Sequence, residues 1–243
     1  MDTTVTEIAS SVYRISTFHT QYGIQFNQFL VEDDEPFLMH TGFRKMFPLT
    51  FDAVSKVMQP SKLRWIGYSH FEPDECGALN EWLAAAPQAT PVCGVVGQMV
   101  MLNDYSDRPA RVLQDGEVFG IGKHKLRFLA TPHVPHGWDA GLFFEESDAT
   151  LFCSDLFFHA GETKAIVEDD VVGAARAAMA YGATSPLAKD IPYTPYTDAT
   201  LARLAALKPR TLALMHGASY RGNGEKALGE LRGAVKEFYG AAT

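Results

Sequence analysis

The chain has 243 residues, 47% hydrophobic and 12% aromatic, enough to bury one sizeable core, and no linker or composition break divides residues 1–243, so a single domain is expected. Its 29 acidic against 21 basic residues leave a net charge of -8, with no basic run longer than "KHK", which argues against nucleic acid or an anionic membrane and toward small-molecule chemistry. The start "MDTTVTEIASS" lacks a signal-peptide pattern, no apolar run approaches the ~20 residues of a membrane span, and Cys76, Cys93 and Cys153 are few and far apart, so a soluble cytoplasmic protein is expected, whose metals would be held by histidine and carboxylate.

Residues 10–41 alternate apolar and polar side chains between turn signals, as in "SVYRIS", "IQFNQFLVED" and "PFLMHTG", the period-2 pattern of hairpin-linked strands. "LTFDAVSKVM" then predicts a short helix, "LRWIGYS" a buried strand, and "DECGALNEWLAAAP" a helix with acids at its start and a proline at its end. After "TPVCGV" and a short helical piece, "ARVLQDGEVFGIG", "HKLRFLATP" and "AGLFFEESDATLFCSD" predict a second series of strands, and hence a second sheet. The final third carries helical patterns near 168–183, 197–208 and 223–239, interrupted by the apolar strand "TLALMH". Two strand-rich series, each followed by helices, predict an α+β fold: an αββα sandwich of two mixed β-sheets with helices outside.

Histidine is the most informative residue type, because neutral imidazole is the commonest metal ligand. His70 follows "LRWIGYS", His133 and His136 follow "HKLRFLATP", Asp155 follows "TLFCS" and His216 follows "TLALM". Each side chain alone reads more readily as a structural residue, the histidines hydrogen-bonded at the surface or in the core and the aspartate a turn or helix cap. Together they place ligand-type residues beyond the ends of four predicted strands, where a rigid sheet lets loop side chains converge. The stretch "YSHFEPDECG" adds Glu72, Asp74 and Glu75 to the first of these positions.

Those residues carry a resemblance to the metallo-β-lactamase superfamily, whose hydrolase signature is HxHxDH followed by a distant His, Asp and His. Here the first motif reads His70-Phe71-Glu72-Pro73-Asp74-Glu75, with glutamate in place of the second histidine. HxExD resembles the diiron core of the flavodiiron proteins, the oxygen and nitric oxide reductases of that superfamily. The intervals between Asp74, His136, Asp155 and His216 are 62, 19 and 61 positions, also similar to the family pattern, as are "LQDGEVFGIG", "TPHVPHGWD", "FCSDLF" and "MHGASY".

The resemblance implies a metal set of His70, Glu72, Asp74, His136, Asp155 and His216. One ion would take His70, Glu72 and His136, the other Asp74 and His216, with Asp155 bridging. It implies two iron ions, zinc or manganese being the alternatives, because each imidazole replaced by carboxylate makes the shell one unit more negative and its donors harder. The chain would then bind or reduce dioxygen or nitric oxide as an oxidoreductase, or sense oxygen, like the stand-alone oxygen-binding diiron proteins. No flavin is expected, since the flavodoxin domain is missing from the sequence, so a separate electron-donor protein is implied. A homodimer is a family-level expectation. The alternative is a dinuclear zinc or manganese hydrolase of an ester, thioester or lactone.

Several positions stay open. Many flavodiiron relatives carry a histidine where Glu75 stands; Glu75 is either a ligand or a first-turn acid favoured by the helix dipole. His133 competes with His136, whose spacing to Asp155 resembles the superfamily. Trp138 and Asp139 read as loop packing and an Asx turn or as groups shielding and orienting the site. His159 and Tyr220 are expected at the surface, Cys76 and Cys153 in packing, and His19, His40 and His124 have no assigned role.

Overall fold

The computed structural model describes residues 2–186 and 191–240. The first sheet contains β1 (Thr3–Ala9), β2 (Val12–His19), β3 (Ile24–Val31), β4 (Phe37–Met39), β5 (Trp65–Gly67), β6 (Thr90–Gly94) and β7 (Arg111–Leu113), side by side in that order. Its first four strands are antiparallel and its last four are joined in parallel. The parallel crossovers carry α1 (Phe47–Ser55), α2 (Pro73–Cys76), α3 (Leu79–Ala85) and a continuous helical run from α4 (Val95–Gly97) through a π-helical turn (Gln98–Leu102) to α5 (Asn103–Tyr105).

The second sheet comprises β8 (Val118–Gly120), β9 (Lys125–Ala130), β10 (Gly141–Glu145), β11 (Thr150–Ser154), β12 (Ile166–Val167), β13 (Thr211–Leu214) and β14 (Ser219–Arg221), in the spatial order β12-β14-β13-β11-β10-β9-β8. The β11–β13 and β12–β14 pairs are parallel and the rest antiparallel. Outside it lie α6 (Val171–Gly182), α7 (Thr197–Ala206) and α8 (Gly224–Tyr239). This is the expected αββα sandwich of mixed sheets.

Strand periodicity explains the layering, because successive side chains leave a strand on opposite faces. Phe37 and Met39 of β4 enter the apolar layer between the sheets, whereas Leu38 packs under α1 and α3. In β11, Phe152 points inward while Leu151 and Cys153 meet the outer helices; in β13, Ala213 points inward while Leu212 and Leu214 do not. Phe29, Phe37, Phe143 and Phe152 fill the inner layer, with the Phe37 and Phe143 ring centroids 5.1 Å apart. Gly67 makes that contact possible: a Cβ there would stand 2.7 Å from the Phe37 ring.

Two elements depart from expectation. "ARVLQDGEVFGIG" does not enter one sheet: β7 completes the first sheet against β6, and β8 opens the second against β9. Local alternation gives the faces of a strand but not its neighbour. The helix predicted over "DECGALNEWLAAAP" is broken into α2 and α3. The Ala78 N–H turns to the Gly42 carbonyl at 3.0 Å and the Thr41 hydroxyl at 3.2 Å, and Gly77 packs against the Pro73 carbonyl, where a Cβ would stand 2.3 Å away. Tertiary partners thus replace the helical bond at that step. Among the described residues no helix is long and apolar enough to cross a membrane.

Candidate metal centre

The ends of β5, β9, β11 and β13 open onto one side of the sandwich, and the loops beyond them carry His70, His136, Asp155 and His216. Glu72, Asp74 and Glu75 arrive from the β5–α3 connection. His70 and His136 meet with Nε2 atoms 2.9 Å apart, and Glu72 Oε1 lies 3.1 Å from His136 Nε2 and 3.8 Å from His70 Nε2. Asp155 faces both sides: Oδ2 is 3.4 Å from the Nε2 atoms of both His70 and His136, and Oδ1 is 3.2 Å from His216 Nε2. Asp74 Oδ2 stands 3.4 Å from His216 Nε2. All six predicted residues therefore come together.

These separations suit ions. Two donor atoms each about 2.1 Å from one first-row cation lie about 3 to 4.2 Å apart, the range spanned by the Glu72–His70–His136 triangle. Neutral imidazoles facing each other through Nε2 have no attraction without a proton or a cation between them. Among the described residues three overlapping sets have geometry that could hold an ion: His70, Glu72 and His136; His70, Glu75 and Asp155; Asp74, Glu75 and His216.

Charge follows the same geometry. His136 and His70 hold the Glu72 carboxyl down to about 2. Burial disfavours ionised Asp155, but His216, His70 and His136 outweigh it and keep that carboxyl well below the usual range. Burial likewise opposes charge on His216, yet Asp155 and Asp74 push it up to about 10. Burial, followed by the charges of Asp155 and Asp74, drives Glu75 well above an ordinary glutamate. Such a cluster needs positive charge, which protons supply here and cations could supply instead.

The surroundings fix the imidazoles. His216 Nδ1–H donates to the Gln25 carbonyl at 2.8 Å, leaving Nε2 open toward Asp74 and Asp155. His70 Nδ1 lies 3.0 Å from Ser69 Oγ, which also meets Ser154 Oγ at 2.7 Å and His40 Nε2 at 3.1 Å; His40 Nδ1 faces Met215 Sδ at 3.1 Å. Burial holds His40 down to about 3, so it is neutral. The consistent direction runs from Met215 inward: His40 Nδ1–H donates to sulfur, Ser69 O–H to His40 Nε2, and His70 Nδ1–H to Ser69 Oγ, which leaves His70 Nε2 open. Phe26 and Phe158 edge the His216 ring at centroid distances of 5.1 and 5.3 Å.

The loop carrying His216 is stitched to the first sheet. Asn27 of β3 donates through Nδ2 to the carbonyls of Leu214 at 2.8 Å and Gly217 at 2.9 Å, and Arg14 Nη2 donates to Gly217 at 2.9 Å. Asn27 and His40 were missed by sequence reasoning. His40 did carry a signal, since it follows the apolar strand β4 as His70 follows β5; Asn27 carried none.

Other positions divide differently. His133 is not part of any ion-sized cluster among the described residues and adopts φ 63°. His159 is buried rather than at the surface: its Nε2 accepts from the Ala218 N–H of the His216 loop at 3.0 Å and its Nδ1–H donates to the Phe157 carbonyl of its own loop at 3.1 Å, so both nitrogens are engaged. Tyr220 packs against the outer-helix core, away from the site. Trp138 is 64% exposed, whereas Asp139 is buried, its carboxyl raised by that burial. Cys76 and Cys153 are buried free thiols, both pushed up by burial, in keeping with packing. His124 pairs with Glu145 at 3.0 Å, and His19 stacks near Tyr22.

Comparison with known proteins bears on the family and the fold. A family model described as "ODP family beta lactamase" matches residues 24–182. Putative diflavin flavoprotein A 3 of Nostoc sp. (strain PCC 7120) is 28% identical over 162 residues, 63% of this chain and 27% of that protein. Rubredoxin-oxygen oxidoreductase of Megalodesulfovibrio gigas is 26% identical over 137 residues, 56% of this chain and 34% of its own length. The matched region is thus a minor part of these longer relatives. Among solved structures, rubredoxin oxygen:oxidoreductase from Desulfovibrio gigas superposes with a TM-score of 0.82 at 21% identity, covering 97% of this chain and 61% of that one. A 1–254 fragment of putative diflavin flavoprotein A 5 from Nostoc sp. PCC 7120 gives 0.78 at 21% identity, covering 98% of each. The chain belongs to the ODP family, within the metallo-β-lactamase superfamily and related to the flavodiiron proteins.

Proposed function

We propose that residues 1–243 act as one metallo-β-lactamase-like unit, a non-haem diiron protein that takes dioxygen or nitric oxide as its ligand and receives electrons from a separate donor protein. The observation that carries this reading is the donor set: three imidazole nitrogens and the carboxylates of Glu72, Asp74 and Asp155 within ion-sized distances of one another. The names of the relatives, a rubredoxin-oxygen oxidoreductase among them, support the same class.

The residues fit two cations. His70, Glu72 and His136 would hold one, Asp74 and His216 the other, and Asp155 would bridge through its two oxygens. Carboxylate in the place of a third imidazole favours a harder, more highly charged ion over zinc. When bound, a pair of ferrous ions supplies one electron each to an oxidant. The protein's part is orientation and shielding: Ser69 and the Gln25 carbonyl keep Nε2 of His70 and His216 pointed inward, and Phe26 and Phe158 limit water beside His216.

Metal analysis combined with anaerobic and aerobic spectra tests the proposal. About two irons per chain are expected, with a near-ultraviolet change when the ferrous protein meets oxygen. Stoichiometric zinc with rapid ester, thioester or lactone hydrolysis would establish the hydrolase instead. Glu72→His is expected to shift metal preference toward zinc and reduce oxygen uptake; unchanged iron content and uptake would remove Glu72 from the discriminating role.

A further inference from the structure

We propose that Glu75 is a seventh protein ligand, a second carboxylate that would reach both ions of the centre alongside Asp155. The inference rests on the dinuclear reading above and adds a residue and a charge to it.

Its first support is burial. An acid placed in a helix first turn for the dipole's sake stands in water, but the Glu75 side chain is 0% exposed. Its second support is that its polar company lies within the centre: Oε1 and Oε2 are buried with no hydrogen-bond donor from outside it, and the carboxyl faces Asp74 and Asp155. A buried carboxylate costs several kcal/mol unless a proton or a cation neutralises it, and a cation held by the centre's clusters would serve. The third is placement. Glu75 belongs to two of the ion-sized clusters, one otherwise made of His70 and Asp155, the other of Asp74 and His216. Those are donors to opposite members of the ion pair, and Glu75 Oε1 lies 4.0 Å from His70 Nε2.

The backbone holds it there. The Glu75 carbonyl accepts from the Thr41 N–H at 2.7 Å and the Thr41 hydroxyl at 3.3 Å, which pins this turn to the loop after β4 and turns the side chain inward. The break between α2 and α3 follows three residues later, so the broken helix is what delivers Glu75 to the centre. With Glu72, Asp74 and Asp155, the fourth carboxylate brings the protein charge to four negatives against two divalent cations. Full neutralisation of a diferrous pair is the consequence, along with a selection for hard, oxygen-preferring ions.

The test uses the full chain, stripped of metal and titrated anaerobically with ferrous iron against a chromophoric chelator, with zinc as a redox-silent second probe. The native chain is expected to take two ions. Glu75→Gln, nearly isosteric, is expected to take one tightly and the second at least tenfold more weakly, and Glu75→Asp, which keeps the charge and loses the reach, to behave likewise. Two ions at native affinity in Glu75→Gln, or native affinity in Glu75→Asp, would overturn the ligand role of Glu75 while leaving the dinuclear reading intact. A single ion in the native chain would overturn both. Circular dichroism and the Tm of the metal-free forms separate binding from folding: the Glu75→Gln apoprotein is expected to melt no lower than native, whereas a lower apo Tm with undiminished ion uptake would assign Glu75 to folding instead.

Discussion

Replacing Asn27 by leucine isolates the stitch that holds the His216 loop. Asn27 is fully buried in β3, and its Nδ2 supplies two hydrogen bonds to carbonyls at and just beyond the end of β13, Leu214 and Gly217. The Gly217 carbonyl keeps its bond from Arg14, so only the Leu214 carbonyl loses a side-chain donor outright. Two bonds at about 1 kcal/mol each, plus about 1 kcal/mol or more for the stranded acceptor, give a loss of about 3 kcal/mol. For a chain of this size each kcal/mol moves Tm by about 2–4 °C, so the melting point should fall by about 6–12 °C. Thermal melts and urea titrations at constant m measure it, and metal titration of the same variant should show weaker retention of the ion held by His216. Asn27→Asp has the same shape without donors and should cost at least as much near neutral pH, less in acid, where a protonated carboxyl can donate to one carbonyl. A leucine variant within about 0.5 kcal/mol of native, the range of an ordinary surface change, would refute the view that these bonds position the loop.

Ser69→Ala removes the hydroxyl shared by His70, His40 and Ser154 and should weaken metal affinity about 10–100-fold, read by chelator competition. Gly217→Ala would set a Cβ 2.3 Å from the His159 ring at φ +110°, so a loss of roughly 3 kcal/mol or more is expected in a melting experiment, along with lower metal content. For Glu145, burial alone would raise the carboxyl, but the N–H groups of Asp148 and Ser147, each at 2.8 Å, and the His124 imidazole hold it below an ordinary glutamate. A depressed folded value stabilises the fold above the unfolded value and loses that contribution as pH falls through the folded one. Glu145→Gln should therefore cost about 1–3 kcal/mol at pH 7 and approach native stability in acid; a deficit independent of pH would contradict this.

Much of the centre was legible locally because its chemistry is written in residue types at strand ends. His70, Glu72 and Asp74 follow one apolar strand within a few positions, and His136, Asp155 and His216 each follow another. Glu75 shows the limit of that legibility. In the chain it is indistinguishable from a helix-starting acid, and only the packing of its turn against Thr41 buries it. His159 fails in the same way, since the bond from Ala218 spans 59 positions.

The sequence by itself determined the layered architecture and the ligand-type residues, because alternation along β4, β11 and β13 depends only on which neighbours in the chain are apolar. Tertiary structure decided the rest. It assigned β7 and β8 to different sheets, turned Asn27 and His40 from strand residues into supports of the centre, and brought Asp155 between three histidines. The physical reason is that these depend on hydrogen bonds and charge pairs between segments as much as 190 positions apart, and nothing in local periodicity specifies which remote carbonyl a buried amide will find.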